Sequence, residues 1–108
     1  MASHLGEFEQ LVLLALLRLD HAGYGVTVRE ELLRRAGRRV SLGTVYKTLL
    51  RLEAKGLVAA QIGEPTPERG GRRKKHYALT GAGQRALTRS LAALRKLSSG
   101  IAPLWGAP

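Results

Sequence analysis

The 108-residue sequence predicts a mostly α-helical α+β domain with one small antiparallel hairpin and a last helix suited to dimerisation. Three observations carry this reading. Apolar residues recur at helical spacing in three segments, and a fourth is apolar all round. Two short runs, Leu57–Ile62 and Lys74–Leu79, flank a segment rich in Gly and Pro and read as paired strands. Cap residues and glycines stand where these segments begin and end.

The first helix is expected over Leu5–Leu19, where no Gly or Pro interrupts the chain after Gly6. Its apolar residues Leu11–Leu17 point all round the axis, and a helix apolar on every side must be covered on every side. A domain this small offers too few elements to do that, so one face is expected to meet a second subunit. Asp20–Gly23 forms a turn. A second helix follows over Val26–Ala36, with Val28, Leu32 and Leu33 inward and Arg29, Glu30, Arg34 and Arg35 outward. Gly37 stops it.

Ser41 has the chemistry of an N-cap for a third helix, Leu42–Lys55, which Gly56 ends. The inward face of this helix is Leu42, Val45, Leu49 and Leu52. Its other face is assigned Thr44, Lys47, Thr48, Arg51 and Lys55, small hydroxyls and long cations without an acid. The loop Gly63–Arg73 joins the two strands. Thr80 caps a last helix reaching about Leu97, with Leu87, Leu91 and Leu94 along one face, and Ser98–Pro108 is a tail. Helix, helix-turn-helix, hairpin, helix is the order of a winged helix-turn-helix with a C-terminal dimerisation helix. The expected division is 1–80 for the winged unit, 81–98 for the dimerisation helix and 99–108 for the tail.

Charge narrows the function. Lys and Arg number 18 against 8 Asp and Glu, for a formal charge of +10, which points to a polyanionic partner. Residues 1–40 hold six basic and five acidic groups, residues 41–79 eight and three, and residues 80–108 four and none. The excess therefore sits in the third helix, the hairpin and the last helix. In a winged helix the first two of these touch DNA.

A helix in the major groove presents its N-terminal turns to base edges. Lys47 suits guanine acceptors there, and Thr44 and Thr48 suit hydrogen bonding or a thymine methyl. Arg51 and Lys55 lie further along and suit phosphate. Around Gly70-Gly71 the hairpin supplies Arg69, Arg72, Arg73, Lys74 and Lys75 for phosphate or the minor groove. The candidate DNA-contacting set is Ser41, Gly43, Thr44, Tyr46, Lys47, Thr48, Arg51, Lys55, Arg72, Arg73, Lys74 and Lys75. The candidate dimer interface is Leu11, Leu14, Leu87, Leu91 and Leu94.

Other chemistry finds little support. With no cysteine there is neither disulfide nor thiolate site. His4, His21 and His76 lack metal-ligand spacing, so no metal and no cofactor are expected. Gly81-Ala82-Gly83 lacks the third glycine of a dinucleotide loop. The longest apolar run, Leu11–Leu17, is too short to span a bilayer and no basic leader precedes it, so a cytoplasmic protein without a membrane partner is expected. No catalytic constellation argues for an enzyme. The alternatives that stay open are a winged helix used for protein contact and a general basic nucleic-acid-binding protein.

Three segments carry a family resemblance: Ala22-Gly23-Tyr24-Gly25-Val26; Val40-Ser41-Leu42-Gly43-Thr44-Val45-Tyr46 with its continuation Leu52-Glu53-Ala54-Lys55-Gly56-Leu57-Val58; and Gly71–Thr80 followed by Gly83. In this order and spacing they resemble the PadR family of winged-helix regulators, across about Leu5–Leu97. The sequence departs at Lys47, where members often have Pro, and at His76, where they often have a second aromatic. Base preferences are therefore not carried over. The resemblance implies a homodimer on double-stranded DNA, held by the last helix and helix 1, with repression as the default activity. It also implies, for some members, a small aromatic effector at the dimer interface, which Trp105 could help to line. One helix after the hairpin is the short form, without a separate sensor domain.

Overall fold

In a computed structural model that describes residues 5–65 and 73–105, the described residues form four α-helices and a two-stranded antiparallel sheet. The order is α1 (Glu7–Leu19), α2 (Gly25–Ala36), α3 (Leu42–Ala54), β1 (Val58–Pro65), β2 (Arg73–Leu79) and α4 (Gly81–Ser98). Short 3₁₀ turns occupy Asp20–Ala22 and Ala102–Trp105. This is the winged helix-turn-helix expected from the sequence, with small shifts at its boundaries.

Local chemistry sets most boundaries. α1 begins at Glu7 rather than Leu5, because extended Gly6 is its N-cap and gives its N–H to the Glu9 carboxylate, 3.0 Å. α2 ends at Gly37, whose left-handed φ of 63° turns the chain out of the helix while its N–H reaches the Leu33 carbonyl. Ser41 caps α3 by accepting from the Thr44 N–H, 3.1 Å. Thr80 caps α4 by accepting from the Gly83 N–H, 3.0 Å, and its hydroxyl also donates to the Gly56 carbonyl, 2.7 Å. That double use ties the start of α4 to the end of α3. Gly83 must lack a side chain, since a Cβ there would overlap the Leu57 carbonyl.

The core lies where all these elements meet. Val12, Leu13, Ala15 and Leu16 of α1 pack on Val28 and Leu32 of α2 and on Val45, Leu49 and Leu52 of α3. Leu57, Val58 and Tyr77 close it from the hairpin, and Ala86 and Leu87 from α4. The hairpin pairs Val58 with Leu79 and Ile62 with Lys75, then shifts register before Pro65 meets Arg73. β1 thus runs three residues beyond the predicted end at Ile62, into the expected loop. The Tyr77 N–H donates to the Gly23 carbonyl, 2.8 Å, which fastens the wing to the turn before α2.

Two expectations about facing are corrected. Leu33 is 45% exposed, because the core wraps only the Val28 and Leu32 side of α2. Leu87 is buried to 3% in the core of its own chain, so it is not available as a dimer contact. Leu91, one turn on, is half-buried, and Leu94 and Leu97 are exposed as α4 leaves the body.

Candidate nucleic-acid interface

The outward face of α3 follows from how the core rotates it. Val45, Leu49 and Leu52 are fully buried. At 3.6 residues per turn the side opposite Val45 carries Gly43, Lys47, Leu50 and Ala54, with Tyr46 at one edge and Thr44 and Arg51 at the other. Each of these is exposed. The expected placement of Thr48 among them is corrected. It lies only about 60° around the axis from Val45, is buried to 3%, and gives its hydroxyl to the Thr44 carbonyl, 2.9 Å. Leu50, unremarked in the sequence, is 54% exposed beside Lys47. Its distance from the apolar stripe was the available signal.

At the N-terminus of α3 the Ser41 and Thr44 hydroxyls are 2.9 Å apart and exposed, next to the positive end of the helix dipole. Free N–H groups and small hydroxyls at such an end suit phosphate. The approach to this end is braced by arginines. Arg29 Nε donates to the Val40 carbonyl, 3.1 Å. Arg38 donates to Glu7, 2.6 Å, and lies over the Phe8 ring. The Arg38 hydrogen bond holds the Glu7 carboxyl below its usual range and raises the guanidinium in turn. Arg39, between them, is exposed with no acidic partner among the described residues.

Tyr46 is 41% exposed and lies over the start of α2, where Gly25 leaves room for its ring. Tyr24 opens α2 and meets His76 of β2 edge-on, ring centroids 5.4 Å apart. The N-terminus of α2, the middle of α3 and the wing therefore converge on one side.

The cations divide into two groups. Lys47 and Arg51 form no ion pair among the described residues, though Arg51 is near enough to Glu9 for its charge to help hold that carboxyl ionised. Lys55 is bound to Glu9, 2.9 Å, and Lys75 lies 3.7 Å from Glu53 with its ammonium over the Tyr77 ring. Lys55, expected as a phosphate contact, thus sits at the C-terminal end of α3 on the side that meets Glu9 of α1, about 80° around the axis from Val45. Arg72 and the side chains of Arg73 and Lys74 lie outside the described residues, as does the side chain of Trp105.

The expected dimer face is separate from this surface. Half-buried Leu11 and Leu14 line a groove of about 630 Å³ between α1 and α2, with Leu32 at its base and Arg18 and Arg34 at its rim. Glu31 is buried there to 5% and binds Arg34 and Arg35 at 2.9 and 2.8 Å. The hydrogen bond from Arg34 lowers its pKa against the cost of burial. Among the described residues no three His, Cys, Asp or Glu gather as a metal site, and no helix is long and apolar enough to cross a membrane.

Comparison with known proteins agrees with this geometry. The profile of the Transcriptional regulator PadR-like family matches residues 13–89, which span the whole of α2, α3 and the wing. Transcriptional regulator Rv3488 of Mycobacterium tuberculosis is 41% identical over 79 residues, 73% of this chain and 69% of that protein. Among solved structures, a PadR family transcription regulator from Clostridium difficile superposes with a TM-score of 0.73 at 25% identity, covering 94% of this chain and 100% of its own. A PadR family transcriptional regulator from Eggerthella lenta gives 0.67 at 28% identity, covering 94% and 88%.

Proposed function

Since this chain belongs to the PadR-like family of transcriptional regulators, we propose that it is a sequence-specific repressor that binds an inverted-repeat operator in double-stranded DNA as a homodimer. The observation that carries this is the outward face of α3. It is exposed, holds Lys47 and Arg51 outside any ion pair among the described residues, and begins at an accessible helix N-terminus. Residues 41–79 also carry a net +5, eight basic groups less three acidic.

In this reading Gly43, Thr44 and Lys47 read base edges, and Leu50 offers apolar contact to a thymine methyl. Ser41, Tyr46 and Arg51 contact phosphate, and the wing from Arg72 to Lys75 adds cationic contacts along the flanking backbone. Residues 1–80 bind DNA and 81–98 join the subunits, with 99–108 as a tail. The dimer forms through Leu91, Leu94 and Leu97 of α4 against Leu11 and Leu14 of the partner's α1. The groove beside Leu11 and Leu14 suits a small aromatic effector at that interface. The protein acts in the cytoplasm.

Selection of bound duplexes from random DNA tests the proposal. The expected outcome is a two-fold symmetric consensus. Recovery of unenriched sequence would overturn specific recognition, and no recovery at all would overturn DNA binding.

A further inference from the structure

Glu9 is buried to 5% in the first turn of α1, yet it is ionic. Its Oε1 accepts the Gly6 N–H at 3.0 Å and the Lys55 ammonium at 3.2 Å, while Oε2 accepts Lys55 at 2.9 Å. Burial opposes ionisation of this carboxyl, but the hydrogen bonds from Lys55 and Gly6, with the charges of Lys55 and Arg51, together outweigh it and leave the pKa lowered. Lys55 is the C-cap of α3, and its side chain is 27% exposed. The pair therefore joins the N-terminal end of α1 to the C-terminal end of α3, between residues 46 apart in sequence. Each charge also complements the dipole of the helix end it occupies.

Stability alone is a poor account of such a pair, because desolvation offsets most of its Coulombic gain and apolar replacements often do as well. Its geometric effect is larger. α3 is about 20 Å long, so a tilt of about 5° at its anchored end moves the far end by about 1.7 Å. That displacement exceeds what a hydrogen bond to a base edge tolerates. On the other side of the same helix end, Glu53 holds Lys75 of β2 at 3.7 Å, so the anchor is braced from the wing as well.

The geometry points to Glu9 as a positioning residue for DNA recognition: through Lys55 it fixes the direction of α3 against α1, the helix that carries Leu11 and Leu14. Lys55 thereby orients the reading helix and makes no phosphate contact. This rests on α3 being the recognition helix.

The test uses the full chain and two duplexes, one selected from random DNA by the wild-type protein and one of scrambled sequence. Glu9→Gln keeps an acceptor for Gly6 and removes the charge. Glu9→Gln and Lys55→Met are each expected to lose about tenfold affinity for the selected duplex, the loss of roughly one base contact, with scrambled-duplex affinity held within about twofold. The double variant is expected to lose no more than the worse single one. Lys55→Arg is expected to retain wild-type discrimination. Scrambled-duplex binding also reads the folded fraction, so unfolding cannot imitate the result. The inference is overturned if Lys55→Met weakens both duplexes equally and lowers the log–log salt slope by about one, since Lys55 would then bind phosphate. Unchanged discrimination in both single variants would overturn it too. Failure of the wild-type protein to bind either duplex would instead overturn the DNA-binding reading itself.

Discussion

Tyr46 of α3 occupies the space that a side chain at Gly25 of α2 would need: a Cβ built there lies 2.5 Å from Tyr46 Cζ. The two residues stand where α2 begins and where α3 crosses it. Alanine is a better helix residue than glycine by about 0.5–1 kcal/mol, yet Gly25→Ala is expected to destabilise by about 1–3 kcal/mol through overpacking. Urea unfolding would measure it. Adding Tyr46→Ala should recover part of the loss, because the obstacle is then gone. A simple sum of two losses would mean that the ring is not the cause.

Lys47 and Arg51 are both exposed and outside any ion pair among the described residues, but they lie one turn apart along α3. Lys47→Ala is expected to change the ranking of bound sequences. Arg51→Ala should weaken all duplexes alike and lower the salt slope by about one, as loss of a phosphate contact does. Competition binding over a panel of duplexes, at several salt concentrations, checks both. Base preference shifting with Arg51 and not with Lys47 would reverse the assignment.

Leu87 and Leu94 share one face of α4 but not one environment. Leu87 is 3% exposed and Leu94 55%. Leu87→Ala is expected to cost about 2–5 kcal/mol of folding stability, as buried leucine truncations do. Leu94→Asp is expected to leave the fold intact and shift sedimentation equilibrium toward monomer at micromolar concentration. A dimer that survives Leu94→Asp would move the interface elsewhere.

Acid should unfold the domain through its paired carboxylates. For Glu9 burial opposes ionisation, but the Lys55 and Gly6 hydrogen bonds together with the Lys55 and Arg51 charges overcome it, and for Glu31 the Arg34 hydrogen bond leads, so both native pKa values are lowered from the ordinary glutamate value. A group with a depressed native pKa stabilises fully above its unfolded value, and that stability is lost as pH falls through the native one. Denaturant midpoints are therefore expected to be flat on account of these groups above about pH 5.5 and to fall from about pH 4.5 downward. Glu9→Gln should flatten the fall. An unchanged slope in that variant would show that Glu9 does not contribute.

Two symmetric copies of α3 would enter successive major grooves on one side of the duplex, which requires half-site centres about 10 base pairs apart or a multiple of that. Inserting about 5 base pairs between half-sites should abolish tight binding, whereas a whole turn should only weaken it. Gel-shift titration of spacing variants decides this. Equal affinity at all spacings would mean that each subunit binds alone.

What the sequence determined by itself was local. Ser41, Thr80, Gly37 and Gly56 mark helix ends because a cap is made within a few residues, by a hydroxyl or a left-handed glycine. Together with the strand runs they were enough for the order of elements. The charge excess after residue 40 pointed to α3, the wing and the last helix alike, and the order of elements then favoured the first two. Tertiary structure decided what faces where. Periodicity alone left the rotation of α3 loose, and Thr48 went to the wrong side until the core aligned Val45, Leu49 and Leu52. Leu87 and Leu94 repeat at the same helical spacing, yet only the first reaches the body before α4 leaves it. Lys55 looked like one more cation until the fold brought Glu9 to it across 46 residues. Whether a charge is available to a partner depends on its nearest neighbour in space, and for these residues that neighbour is far away along the chain.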